Sequence, residues 1–395
     1  MTRAARVLGL IYCFVLVSTI SSLSQSTDAT AATSSSSPAA FVYVQTQGSS
    51  GPINAYSANS SGVLSTISGS PFSMTGLMIG SNRYQFISLG TNDIHAYKVG
   101  SNGAIGDQVS VIDTADYAGG VCGTSSGTAG AVLDHTGKFL YVTLASVDET
   151  CAAYQSYIIN SDGAFSFDGD TEITWQGCPT GCGNFGFDPP SILGSESFAY
   201  SQYADTFQTL VSGFRRESSG ALEYLPNFTW TAPTVTGGYI AMSPDASPTG
   251  NYVVLELFPE DVSPPQLGSF TVNSQGNLTT TNTSSNMPTS SLNEPSTTFS
   301  PSGNLFVAYG TMSGGSNGKG AIEIYKFNGA APLTLWKTLL DGTPINQVGW
   351  DGANHMYAIS TTENKLYVFT VTSTSVTETS SVSIGAPYRM IVVSE

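Results

Sequence analysis

AVLDHTGKFLYVTLA (Ala131–Ala145), followed closely by AAYQSYIINSDGAFSF (Ala152–Phe167), carries the repeat that decides the fold. The first segment reads as a strand, a tight turn at Asp134-His135-Thr136-Gly137 and a second strand, FLYVTLA. The next segment reads as a third strand, YQSYIIN, a turn at Ser161-Asp162-Gly163 and a fourth strand, AFSFD. Alternating apolar positions rich in Tyr, Val, Phe and Ile are strand signals, and the Gly, Asn and Asp positions between them are hairpin signals.

The same grammar recurs along the chain. YQFISLG at Tyr84, DIHAYKV at Asp93 and SNGAIGDQVSVI at Ser101 precede it. SFAYSQY at Ser197, TLVSGFRR at Thr209 and SSGALEYL at Ser218 follow it. Further copies begin at Tyr239 (YIAMSPD), Thr297 (TTFSPSG) and Asn346 (NQVGWDG). The first copy lacks its opening strand: FVYVQTQ at Phe41, INAYSAN at Ile53 and SGVLSTI at Ser61 match the second, third and fourth strands only. At the other end PYRMIVVSE (Pro387–Glu395) is a lone strand. The economical expectation is an all-β, seven-bladed β-propeller of four-stranded blades over residues 40–395, closed by the C-terminal strand completing blade 1. That gives about 51 residues per blade.

Before the repeats, Arg3 and Arg6 precede the apolar run Val7–Val17 and a series of small residues, the pattern of a secretory signal over residues 1–24. Residues 25–39 form a Ser/Thr/Ala-rich linker too poor in apolar surface to order itself. Four cysteines remain after the signal, and an even number in an exported chain suggests two disulfides. Cys122–Cys151 and Cys178–Cys182 is the favoured pairing, although four cysteines allow three connectivities. The expected location is secreted or periplasmic, with no membrane span after signal cleavage.

Only 10% of residues are charged, with 12 Lys+Arg against 28 Asp+Glu and a net charge of −16. No cationic cluster exists to displace counterions from a phosphate backbone, which argues against nucleic acid as a partner. The chain has no GxSxG elbow in a strand–turn–helix context, no HExxH and no P-loop. Its histidines, His95, His135 and His355, fall on a third strand or beside first hairpin turns, away from the face where ligands collect. No metal site and no cofactor is expected. Trp175, Trp230, Trp336 and Trp350 fall mostly on strands and read as packing between blades.

FVYV, QGSSGPINAYSANSSGVLSTISGSPF (ending at Phe72) and LDHTGKFLYV (Leu133–Val142) resemble repeats of the bacterial lactonase-like propellers, which include 6-phosphogluconolactonase and YVTN-type proteins. The resemblance spans roughly residues 40–395. It implies a propeller with a site at the channel mouth, and in active members Arg and His near the starts of inner strands, often as Gly-Pro-Arg-His. Here Ala386-Pro387-Tyr388-Arg389-Met390 is the nearest match, with the arginine displaced by one place and no histidine after it. Arg389 is the one basic residue expected on an inner strand, where it could hold a carboxylate or polarise a lactone carbonyl. Asn293, Glu294, Asn346 and Gln347 begin the two preceding inner strands and could share that mouth, with Asn184 opposite. The competing expectation is that Arg389 pairs with an acid of a neighbouring blade and locks the closing strand.

The functional expectation is therefore an exported propeller that binds a small molecule, glycan or cell-envelope ligand through the loops at one face, as a monomer. The alternative is a lactone hydrolase or cycloisomerase acting on a small sugar or carboxylated lactone.

Overall fold

The closing strand is where the repeat reading places it. In the computed structural model, Pro387–Ser394 pairs antiparallel with Ala40–Thr46, from Ala40 opposite Ser394 to Gln45 opposite Arg389. A residue from the far end of the chain thus supplies the inner edge of the first sheet, whose order is completed by Ile53–Ala58 and Leu64–Thr66. The structure describes residues 38–394 apart from 50, 75, 83–84, 90–91, 115–125, 147–151, 173–185, 205–208, 234–237, 260–263 and 313–318. The signal sequence, most of the linker, all the cysteines and Asn184 lie outside the described residues.

Among the described residues the strands make seven sheets, each a meander running from an inner to an outer strand. Inner strands of blades 2 to 7 are Leu77–Asn82, Ser126–Leu133, the pair Gly186–Phe187 and Ser191–Ile192, Tyr239–Ala246, Leu292–Phe299 and Gln347–Trp350. Second strands are Gln85–Leu89, Phe139–Ser146, Phe198–Ala204, Tyr252–Pro259, Leu305–Met312 and His355–Ser360. The fold is an all-β propeller of four-stranded blades, and its strands lie in one compact unit, Ser36–Glu395. No helix among the described residues is long and apolar enough to cross a membrane.

The core lies in the seams between sheets. Second and third strands are buried on both faces, as in Phe-Val-Tyr-Val at Phe41–Val44 and His355–Ser360. One device recurs at the seams. An aromatic residue near the start of a second strand sits against a positive-φ glycine in the outer hairpin of the next blade. Phe41 meets Gly103, Phe139 meets Gly220, Phe198 meets Gly276, Tyr252 meets Gly329, and His355 meets Gly62 of blade 1. A Cβ at Gly276 would lie 2.8 Å from the Phe198 ring, and one at Gly329 2.9 Å from Tyr252, so these turns need glycine for space as well as for φ. Two residues further along the strand, tyrosine hydroxyls donate to the same glycine carbonyls: Tyr43 to Gly103 (2.8 Å), Tyr141 to Gly220 (2.7 Å) and Tyr200 to Gly276 (2.8 Å). The F-x-Y of FVY, FLY and FAY is thus an inter-blade bolt, with an apolar plug and a hydrogen bond aimed at one turn.

Blades 3 and 4 carry an additional tie. Arg216 pairs with Asp134 (3.2 Å) and Glu196 (2.9 Å), donates to the Tyr141 hydroxyl (2.6 Å), and lies over the Phe139 ring.

Candidate functional site

The register of the second strands brings polar groups to one level of the blades. Gln45, Gln202, Glu256 and Tyr309 each stand four residues after the position taken by Phe41, Phe198, Tyr252 and Leu305. At that level glutamine binds the inner strand of the next blade. Gln45 accepts the Met78 N–H (3.2 Å) and donates to the Gly76 carbonyl (2.9 Å), and Gln202 accepts the Ser243 N–H (2.7 Å). Blade 5 has an acid in the same place.

Glu256 is buried, and among the described residues neither of its carboxyl oxygens has a partner of normal hydrogen-bonding geometry. Burial pushes it from its ordinary value up to about 8; the Ser243 hydroxyl works against the rise and the Glu294 carboxylate adds to it. Glu323 shows what a structural buried acid looks like here. It accepts from the Ser290 hydroxyl (2.7 Å), the Ser291 N–H (3.0 Å) and hydroxyl (2.6 Å), and the Tyr325 hydroxyl (2.6 Å). Glu256 has no such shell.

A second acid stands nearby. Met242 is opposite Glu256 and Asp245 is opposite Val254, so Asp245 and Glu256 share a face of blade 5. Asp245 is pushed up to about 7 by burial, against which the Thr297 and Ser191 hydroxyls act. Its Oδ1 is 3.4 Å from the Ser191 hydroxyl, and its Oδ2 is buried without a partner among the described residues. The strand between Met242 and Asp245 is bulged, with Ser243 at φ 47°. Blade 6 bulges between Asn293 and Ser296, with Glu294 at φ 44°. Such bulges re-aim side chains, and they gather beside active sites.

Arg389 completes the set. It has no ion pair and no side-chain hydrogen bond among the described residues, so the expected locking salt bridge is not formed there. Burial draws its affinity for protons down, and Tyr388 and Tyr309 act in the other direction. Tyr309, buried at the Gln45 level in blade 6, is pushed up to about 12 by burial. The Val348 backbone and the Ser296 hydroxyl oppose that rise, the Asp245 field adds to it, and the Arg389 field lowers it. Asp245 and Arg389 therefore each lie within electrostatic reach of Tyr309, across blades 5, 6 and 1.

The other residues singled out in the sequence divide. Glu294 is exposed and its field reaches Glu256; Asn293 is its exposed neighbour. The Gln347 side-chain carbonyl accepts the Met390 N–H (2.7 Å), which pins blade 7 to the closing strand. Asn346 accepts the Thr361 N–H (2.7 Å) in its own blade. The histidines serve structure. His355 Nδ1 pairs with Asp351 (2.7 Å), His135 Nε2 lies 2.6 Å from the Ile192 carbonyl oxygen, and His95 contacts Gln108 and Asp93. No group of three or more metal-ligating side chains occurs among the described residues.

Asp245, Glu256 and Tyr309 were not singled out from the sequence. The available signal was a charge inside the apolar run YVVLELF, at the register that holds glutamine in FVYVQ and FAYSQ.

The raised acids link stability to pH. Folded Glu256 holds its proton more tightly than the unfolded chain does at the ordinary value of 4.5. Stability is then full below about pH 4.5 and is lost as pH climbs through about 8. Glu256→Gln is expected to narrow the gap between melting temperatures at acid and alkaline pH by about 5 °C, read from thermal melts at each end. Asp245 would retain its own share of the dependence.

No protein-family model and no curated protein matches the sequence. Solved structures do match the fold. The periplasmic gluconolactonase of Pseudomonas aeruginosa is 13% identical with a TM-score of 0.60, over 90% of this chain and 99% of that one. A Bacteroides uniformis structure described provisionally as a 6-phosphogluconolactonase is 12% identical with a TM-score of 0.62, over 90% and 99%. Apo AztD from Citrobacter koseri is 10% identical with a TM-score of 0.52, over 90% and 98%. The chain has the lactonase-like β-propeller fold. At these identities the likeness concerns the fold and not the site.

Proposed function

We propose that this chain is an exported, seven-bladed lactonase-like propeller that hydrolyses a small lactone beside its channel, at blades 5, 6 and 1. The observation that carries the reading is a partly buried arginine, without an acid partner among the described residues, beside Tyr309, whose other electrostatic neighbour is the buried Asp245 of the blade that also buries Glu256. Buried titratable groups displaced toward working pH mark candidate acids and bases. The competing lock would have joined Arg389 to an acid, and it finds no partner among the described residues.

In this reading Arg389 and the Tyr309 hydroxyl hold and polarise the lactone carbonyl oxygen. Ionised Glu256 or Asp245 takes a proton from an attacking water as its oxygen bonds to the carbonyl carbon. The ring C–O bond then breaks, the proton passes to the departing alkoxide, and the product is an open hydroxy acid. Among the described residues one unpaired cation serves the site, so a neutral ring suits it better than a phosphorylated one. A secretory signal and an even cysteine count support export, and the periplasmic gluconolactonase neighbour accords with it.

A second reading, a binding propeller without turnover, is favoured by one observation: each histidine is committed to structure. The test is proton release from neutral aldono- and aliphatic lactones in a pH-stat. Turnover whose rate climbs between about pH 7 and 8, as the two acids ionise, is expected. Absence of turnover across the panel would favour the binding reading.

A further inference from the structure

The aromatic bolt is missing at the seam between blades 6 and 7. At four of the five bolted seams a turn N–H binds the carbonyl of the plug residue: Asp134 to Phe139, Leu193 to Phe198, Ser247 to Tyr252 and Asp351 to His355. Ser300 binds Leu305 in the same way, so Leu305 stands where the ring should be. The turn it faces, Thr372-Ser373-Thr374-Ser375 of blade 7, has no glycine. A short aliphatic side chain in place of an aromatic ring leaves space, and the structure has a cavity of about 360 Å³ there.

The walls are mixed in a particular way. Leu305, Val371 and Trp350 give an apolar side, and Asn304, Asn354 and Ser373 give a polar one. Lys326 is the only charged residue in the lining. Its ammonium group is held from both blades, 3.6 Å over the Trp336 ring and donating to the Ser373 carbonyl at 3.2 Å. Those contacts leave ammonium capacity for an anion, since the group has three donors. The Trp350 indole N–H is buried without an acceptor among the described residues. The Asn304 carbonyl oxygen is occupied by the Ser302 hydroxyl (2.7 Å), which leaves its amide N–H groups as donors.

We propose that this seam is a binding site for a monosaccharide-sized sugar acid, distinct from the channel site. The volume lies within the range of small-ligand pockets. One fixed cation matches one carboxylate, whereas a phosphate ester, carrying nearly two charges, calls for more. Amide and hydroxyl groups suit several ligand hydroxyls, and the Leu305 and Trp350 side accepts the C–H face of a ring. The missing bolt is then a seam opened for a ligand.

The test titrates the intact protein with D-glucuronate, and with D-glucose as the uncharged control, by calorimetry and ligand-observed NMR. Saturable one-to-one binding of glucuronate, with Kd about 1 mM or tighter, is expected. Glucose should bind at least tenfold more weakly, and Lys326→Met should erase the difference. Leu305→Phe restores the plug, so it should cut glucuronate affinity at least tenfold while lactone turnover and folding are unchanged. No saturable binding up to roughly 20 mM would overturn the proposal. So would glucuronate affinity unchanged in both Lys326→Met and Leu305→Phe. Because neither residue belongs to the channel site, this proposal can fail while the lactonase reading stands, and the reverse.

Discussion

A chain ending at Ile384 is expected not to fold. The lost segment supplies the inner strand of blade 1 and buries Met390, Ile391 and Val393 against the neighbouring seams. Burying side chains of this kind contributes about 1.5–3 kcal/mol each. Three of them, with the ladder to Ala40–Thr46, approach the whole stability of an ordinary domain, about 5–15 kcal/mol. Truncation would also bare the buried strand Ala40–Thr46 as an open edge, a template for aggregation. Expression followed by circular dichroism and gel filtration should show insoluble or unfolded protein. A soluble, cooperatively melting truncation product would mean that the ring does not depend on its closing strand.

Arg389→Met is expected to separate function from fold. Arg389 has no partner to abandon among the described residues, and its charge is already disfavoured by burial. Replacing a desolvated, unpaired cation by an apolar side chain of similar length should leave stability unchanged or slightly raised. If the guanidinium polarises the substrate carbonyl, the same change should lower kcat/KM about 10²–10³-fold, the effect of losing a donor to a developing oxyanion. A large loss of melting temperature in Arg389→Met would place the residue among the ring's structural ties instead.

Much of this architecture is legible in the sequence. FVYVQTQ lacks a preceding strand and PYRMIVVSE lacks a following one, and the two are now paired residue by residue. Strand alternation and Gly-containing turns are local signals, so the sequence carries them in full. The site is less legible because it depends on register between blades. Gln347 looks like a free amide at the start of an inner strand, yet the next blade places the Met390 N–H against it. Glu256 reads as one charge in an apolar strand until its level is matched to Gln45 and Gln202. Its raised proton affinity comes from burial and, to a lesser degree, the Glu294 carboxylate, set against the Ser243 hydroxyl, and none of these is visible in its immediate sequence. The seam cavity was equally hidden. Leucine at position 305 is unremarked as a strand residue, and it becomes informative only beside the rings that hold its place in the other blades.

The most direct measurement is proton release from a panel of neutral lactones, followed in a pH-stat for the wild-type chain and Arg389→Met side by side. The account predicts wild-type turnover rising between about pH 7 and 8 and a variant that is folded but at least a hundredfold slower. Equal rates in the two proteins, or no proton release from either, would contradict a lactonase site at the channel.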